Sequence, residues 1–190
     1  MSVSPCPVDF TSLPDGRYDP DTIRAYKDAR RAFGQDFGRA VSLAFGSVAP
    51  SDLADPYPDW ETMGRAAGAA RAGFAPFLVS NVEHAHPLWS DAENWTFRAH
   101  HDAIHELSGH PAFTFEGETA VVVSTVRALV RYNLTSHGAA CLVSEIIGQA
   151  QAFGQTGTFP RTEDGLQRVA RLCPDTVRSV TRWLFLCGAW

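Results

Sequence analysis

Residues 90–109 read SDAENWTFRAHHDAIHELSG. Ser90 with Glu93 three positions on has the form of a capping box, in which each side chain takes up a backbone N–H at a helix start. Gly109 suits the left-handed backbone of a helix end, and Pro111 opposes continuation. The pattern therefore predicts a helix from Ser90 to about Ser108. Phe97, His101, Ile104, His105 and Ser108 share one face of it, so two histidines are expected to point inward among apolar neighbours.

Working outward, the same signals recur along the chain. Asp19-Pro20-Asp21 opens a helix that carries Ile23, Tyr26, Phe33, Phe37 and Val41 and fades near Gly46, with Gly34 and Gly38 expected to mark a close helix contact. Pro50 to Pro58 reads as a loop. Asp59-Trp60-Glu61 opens a second, Ala-rich helix, and Phe74 to Val82 is apolar but ambiguous in type. Further helices are predicted over Glu116–Tyr132, from Thr135-Ser136 to about Phe153 with Gly154 and Gly157 ending it, and near Glu163–Leu172 and Pro174–Leu186. No two alternating segments are joined by a turn of the hairpin kind. The expectation is all-α: an irregular arm over residues 1–18 and a single-domain helical bundle over 19–190.

Composition narrows the function classes. The 190 residues are 45% hydrophobic and 19% charged, with a formal charge of −5 and no basic cluster. That is enough apolar material for a core, and it argues against nucleic acid as the partner. The longest uncharged run, Ile146 to Pro160, is diluted by Gln, Gly and Thr, so no membrane span is expected. Residues 1–7 lack a basic segment followed by an apolar one, which gives a cytoplasmic expectation. Cys6, Cys141, Cys173 and Cys187 show no C-x-x-C spacing, so a cysteine zinc site is not expected, and Cys141 reads as a core residue.

Chemistry concentrates in the histidines. His84, His86, His100, His101, His105 and His110 crowd about one seventh of the chain, and His137 stands apart. His101 and His105, four apart on a helix, place their Cβ atoms roughly 5–6 Å from each other. Their imidazoles can then converge on one ion, with nitrogens within about 4.5 Å of each other for metal bonds of about 2.1 Å. Carboxylates must come from other helices. Glu118 sits on the face of Val122, Val126 and Leu129, near a helix start where the dipole already favours an acid. Glu145 lies in the most apolar segment, with Gln149 one turn later. Its charge is the harder to explain without a cation, so it is the preferred carboxylate ligand. The alternatives are a salt bridge from Glu145 to Arg98 or Arg127, and a hydrogen-bonded histidine network without metal. Glu83-His84-Ala85-His86 and His110 are further donors that a loop over the site would supply.

His105-Glu106-Leu107-Ser108-Gly109-His110 resembles the His-Glu-x-x-Gly-His segment of aromatic amino acid hydroxylases, which are iron enzymes, and the His-Glu-x-x-x-His segment of certain zinc peptidases. In both families a later Glu completes the site, a part that Glu145 would play here. A broader resemblance covers about residues 95–160. Phe97-Arg98-Ala99-His100-His101-Asp102, His105, Gly117-Glu118 and Glu145-Ile146-Ile147-Gly148-Gln149 resemble a pattern in uncharacterised helical proteins of bacteria and their phages. That resemblance groups His101, His105, Glu118 and Glu145 as one set and implies no reaction.

The functional expectation is a metal-dependent enzyme acting on a small-molecule substrate, with Fe(II) for an oxygenase or oxidase or Zn(II) for a hydrolase. His101, His105, Glu145 and Glu118 are the metal ligands. Glu118 doubles as a catalytic base, and Asp102 and Gln149 orient the ligands. The competing expectation is a non-catalytic structural or interaction protein, whose His–Glu cluster is a polar network or a closed metal clamp.

Overall fold

The computed structural model describes residues 5–12, 20–80, 82, 86, 88–112, 114–157 and 174–190. A short 3-10 turn, Phe10–Ser12, precedes α1 (Pro20–Ala44), β1 (Val48–Ser51), α2 (Trp60–Arg71), β2 (Phe77–Ser80), α3 (Asp91–Ser108), α4 (Phe115–Val130), α5 (Ser136–Thr156) and α6 (Pro174–Leu186). The fold is thus mostly helical. No helix among the described residues is long and apolar enough to cross a membrane. Residues 13–18 of the arm, the helix expected over Glu163–Leu172, His84 and Cys173 lie outside the described residues.

Local chemistry sets the helix ends. Ser90 is extended (φ −67, ψ 162) and its backbone N–H donates to Glu93 Oε2 at 2.9 Å, while Gly109 closes α3 at φ 68. Asp59 caps α2 by accepting from the Thr62 N–H at 2.7 Å, and the Thr114 and Thr135 hydroxyls do the same for α4 and α5 at 3.0 Å. Each cap satisfies a backbone donor that the helix itself leaves orphaned.

Two apolar clusters form the core. The larger joins Tyr26, Ala29 and Phe33 of α1 to Val122, Val126 and Leu129 of α4, Leu142, Val143 and Ile147 of α5, and Val180, Trp183 and Leu184 of α6. The smaller joins Ala40, Ala44 and Phe45 to Met63 and Ala67 of α2, Phe77 and Val79 of β2, and Ala99 and Ala103 of α3. Phe10 seats the arm on α5, where Gln151 accepts from the Phe10 N–H at 2.8 Å and donates to the Val8 carbonyl at 2.9 Å.

Two expectations need correction. Pro50 and Ser51 belong to β1, which pairs in parallel with β2 from Val48 opposite Phe77 to Ser51 opposite Ser80. Parallel strands need a crossover, here α2, so no hairpin turn marks the pair in the sequence. Phe74 to Val82 thus resolves into β2 and its flanks. Gly34 and Gly38 mark no close contact, since a Cβ at either would meet nothing within 4 Å.

The close approach instead involves Gly117. A Cβ there would lie 1.8 Å from the Pro111 carbonyl oxygen. The absent side chain lets the turn between α3 and α4 fold tightly against the first turn of α4, and that turn positions the next residue, Glu118.

Candidate metal centre

On α3, Asn94, Arg98, His101, Asp102 and His105 recur at helical spacing and form a polar stripe. The last two turns of α3 and the first turn of α4 bring His101, His105 and Glu118 together. One ligand atom from each lies within 4.8 Å of the others, a set of donors that could hold a metal ion. His101 Nε2 stands 3.0 Å from Glu118 Oε2, and His105 Nε2 stands 3.3 Å from both Glu118 oxygens. The two imidazoles meet edge to face at 4.6 Å between centroids.

The other ring nitrogens explain this convergence. His105 Nδ1 faces the His110 carbonyl at 2.9 Å, and His101 Nδ1 faces Asp102 Oδ1 at 3.4 Å. Both partners can only accept, so both Nδ1 atoms must donate. A neutral imidazole with its proton on Nδ1 presents a lone pair at Nε2. Two such lone pairs would face a carboxylate that is itself acceptor-only. The arrangement therefore demands a cation between them, either protons or a metal ion.

Without metal, protons fill that role. Burial opposes the His101 imidazolium, but the Glu118 charge and hydrogen bonds to Asp102 and Glu118 outweigh it and raise His101 from 6.5 to about 10. Burial would likewise raise Glu118, yet the His101 charge and hydrogen bonds from both histidines hold it well below the usual carboxylate range. A group whose folded pKa is raised contributes stability below its unfolded value and loses it as pH rises through the folded one. Metal-free protein is therefore expected to lose on the order of 2 kcal/mol between pH 6.5 and 10, allowing for the partial exposure of His101. Denaturant titrations of chelated protein at pH 6 and pH 9.5 measure this, and equal stability at both would show that the pair is not formed. Glu118 acts at the other end, where its contribution is complete above about 4.5 and fades only in strong acid.

Glu145, ranked first from its apolar surroundings, does not join this group. It is buried, and its Oε1 lies 3.5 Å from His86 Nε2. Neither expected salt bridge forms. Arg98 makes no ion pair among the described residues, and Arg127 donates to the Gly188 carbonyl at 2.8 Å at the C-terminal end. The carboxylate that both histidines face is Glu118. Glu118 sits in the first turn of α4, where the helix dipole alone would account for an acid, and that is the turn that packs against the end of α3.

Three further histidines, His86, His100 and His110, add no imidazole to this group. His100 points to the opposite face of α3, where its Nε2 lies 2.9 Å from Asp36 Oδ2, and Tyr132 and Arg131 also bind Asp36. Burial and the nearby His101 charge push His100 down to about 3, so it is a neutral core residue. His110 contributes its carbonyl, not its imidazole, because α3 ends at Gly109. His86 accepts the Leu88 and Trp89 N–H groups on Nδ1 at 3.1 and 3.2 Å. That fixes its proton on Nε2 and removes the lone pair a metal would need.

His101 and Glu118 border a cavity of about 400 Å³. Asp102, Arg98, Glu145 and Gln149 line it too, together with Tyr57 and Leu78 from the β1–α2–β2 unit. Arg98 and the Tyr57 wall were not singled out as site residues from the sequence. In the sequence Arg98 stands only as an alternative salt-bridge partner for Glu145 and as part of the Phe97–Asp102 segment of the broader resemblance, three residues before His101 on the same face. The chain matches no family model, no curated protein and no solved structure.

Proposed function

We propose that this chain is a metal-dependent enzyme whose ion is held by Nε2 of His101, Nε2 of His105 and the Glu118 carboxylate. One observation carries the reading: both imidazoles commit Nδ1 to a fixed acceptor and turn Nε2 toward one shared carboxylate. Metal-ligating histidines are commonly oriented in this way, by an acceptor on the far ring nitrogen. Two His and one carboxylate are the donors of many non-haem Fe(II) sites and of hydrolytic zinc sites. A structural zinc site is closed by four protein ligands. Here two of the three donors, His101 and Glu118, border a cavity, which favours a reactive ion over a clamp.

A bound divalent ion would supply Lewis acidity and an activated water or oxygen-binding position. The chain's own residues do the rest. Asp102 holds the proton on His101 Nδ1, and the His110 carbonyl holds that on His105. Gln149 and Tyr57 offer polar contacts to a small-molecule substrate. Glu118 acts as ligand rather than base, because both its oxygens already face imidazole nitrogens.

Elemental analysis of protein purified without a metal-affinity tag tests the reading and identifies the ion. About one equivalent of iron or zinc is expected, and none under any growth condition would sink it. Chelation should also lower the melting temperature. An ion present at a thousand times its Kd stabilises the folded state by about 4 kcal/mol, which is on the order of 10 °C for a chain this size. An unchanged melting curve after confirmed metal removal would count against a core site.

A further inference from the structure

Two side chains of opposite charge on this cavity each leave a buried polar atom without a hydrogen-bond partner. On α3, the Arg98 Nε is buried and has no hydrogen-bond partner, and its guanidinium makes no ion pair among the described residues. On α5, Glu145 is 4% exposed and its Oε2, buried as well, has no hydrogen-bond partner. Both residues line the same cavity, yet they do not form an ion pair with each other. An unsatisfied buried polar atom is costly, and one on each of two oppositely charged side chains lining a single cavity calls for a ligand that answers both.

The neighbour of the Glu145 carboxylate, His86, is itself held in place. His86 accepts two backbone N–H groups on Nδ1, so Nε2 carries the proton and lies 3.5 Å from Glu145 Oε1, with no hydrogen bond between them. The Trp89 ring stacks on His86 at 4.3 Å and 14°, and Tyr26 meets it edge-on. Main chain and aromatic neighbours thus fix the imidazole, and the imidazole leaves Oε2 as the free acceptor.

We propose that the cavity binds a small zwitterion, a molecule carrying a carboxylate and a protonated amine. Its carboxylate pairs with Arg98, whose planar fork suits two parallel hydrogen bonds to carboxylate oxygens. Its ammonium pairs with Glu145 Oε2, and His86 is the positioning residue for Glu145. Phe97, Ile146 and Leu78 supply an apolar wall for the ligand's body. A cavity of about 400 Å³ suits a molecule of amino-acid size. This rests on reading the cavity as the substrate site beside the metal centre, and it deepens that reading by naming the substrate class.

Calorimetric titration of the full chain tests it, with metal content measured on every sample. The probes are glycine, L-valine, L-phenylalanine and 4-aminobutyrate, which vary bulk and charge spacing. Isovalerate and isobutylamine are the single-charge controls for valine. At least one zwitterion should saturate the protein, with each single-charge control at least tenfold weaker than valine if valine binds, or than the bound zwitterion otherwise. Arg98→Met and Glu145→Gln should each weaken binding at least tenfold, and Arg98→Lys should recover part of it. His86→Gln should weaken the zwitterion while leaving isovalerate unchanged, a split that general unfolding would not produce.

No binding of any zwitterion by fully metal-loaded wild type overturns the proposal and leaves the metal reading standing. Zwitterion binding by protein that never carries metal upholds the proposal and removes the metal reading. Loss of metal from Glu145→Gln would make Glu145 a ligand and overturn its role here. So would stability restored in the ligand-free double variant relative to both singles, since that would show Arg98 and Glu145 paired with each other.

Discussion

Glu118→Gln is expected to lose the metal ion while the chain stays folded. Glutamine keeps the size of the side chain and one carbonyl acceptor but removes the charge that both imidazoles face at 3.0 and 3.3 Å. Losing an outer partner of a ligand typically lowers metal affinity about 10–100-fold, and losing a ligand itself should exceed that. The fold should survive. With the carboxylate gone, His101 no longer needs its extra proton and reverts to a neutral ring, so the cost should fall short of the roughly 3–5 kcal/mol that a stranded buried charge costs. Asp102→Asn belongs in the milder class, about 10–100-fold weaker in metal affinity. Glu145→Gln should retain the ion, because Glu145 faces His86 instead. Metal content measured beside circular dichroism on the three variants decides the matter. Wild-type metal in Glu118→Gln would refute the assignment.

The second large effect is expected far from any donor atom. Gly117→Ala places a Cβ 1.8 Å from the Pro111 carbonyl oxygen, and the obstacle is backbone that no rotamer change can clear. Relief requires the α3–α4 turn to move away from α4. Overpacking of this severity costs about 3 kcal/mol or more, which is roughly 6–12 °C in melting temperature for a chain of this length. The same displacement pulls the His110 carbonyl from His105 Nδ1 and shifts Glu118, so metal affinity should fall along with stability. Gly34→Ala is the matched control. It lies inside α1 with nothing within 4 Å of the new Cβ, and the helix gains up to about 1 kcal/mol from the better helix former. Thermal melts and metal content of both variants test the pair. Equal melting temperatures would mean that the turn between α3 and α4 yields easily.

The helices were legible because the signals that set them are local. A capping box at Ser90, a glycine at Gly109 and cap residues at Asp59 and Thr135 act within one turn, and each can be read without knowing what packs where. The pairing of His101 with His105 was legible for the same reason, since four residues on a helix fix their separation. The expected arm was visible as a loss of periodicity, though not its docking on α5 through Gln151. The two short strands escaped notice because four residues carry little pattern, and their partnership spans the whole of α2.

Which carboxylate meets the histidines could not be read in this way. Burial made both Glu118 and Glu145 demand a partner, and one-dimensional hydrophobicity ranked Glu145 first. The tertiary structure reversed that order because the tight turn at Gly117 folds the start of α4 against the end of α3, while α5 carries Glu145 to His86. The face a residue occupies on its own helix follows from the 3.6-residue period, so the sequence by itself determined that His101, His105, Glu118 and Glu145 all turn inward. Which inward-facing groups touch depends on how helices distant in the chain cross, and only their packing decided that.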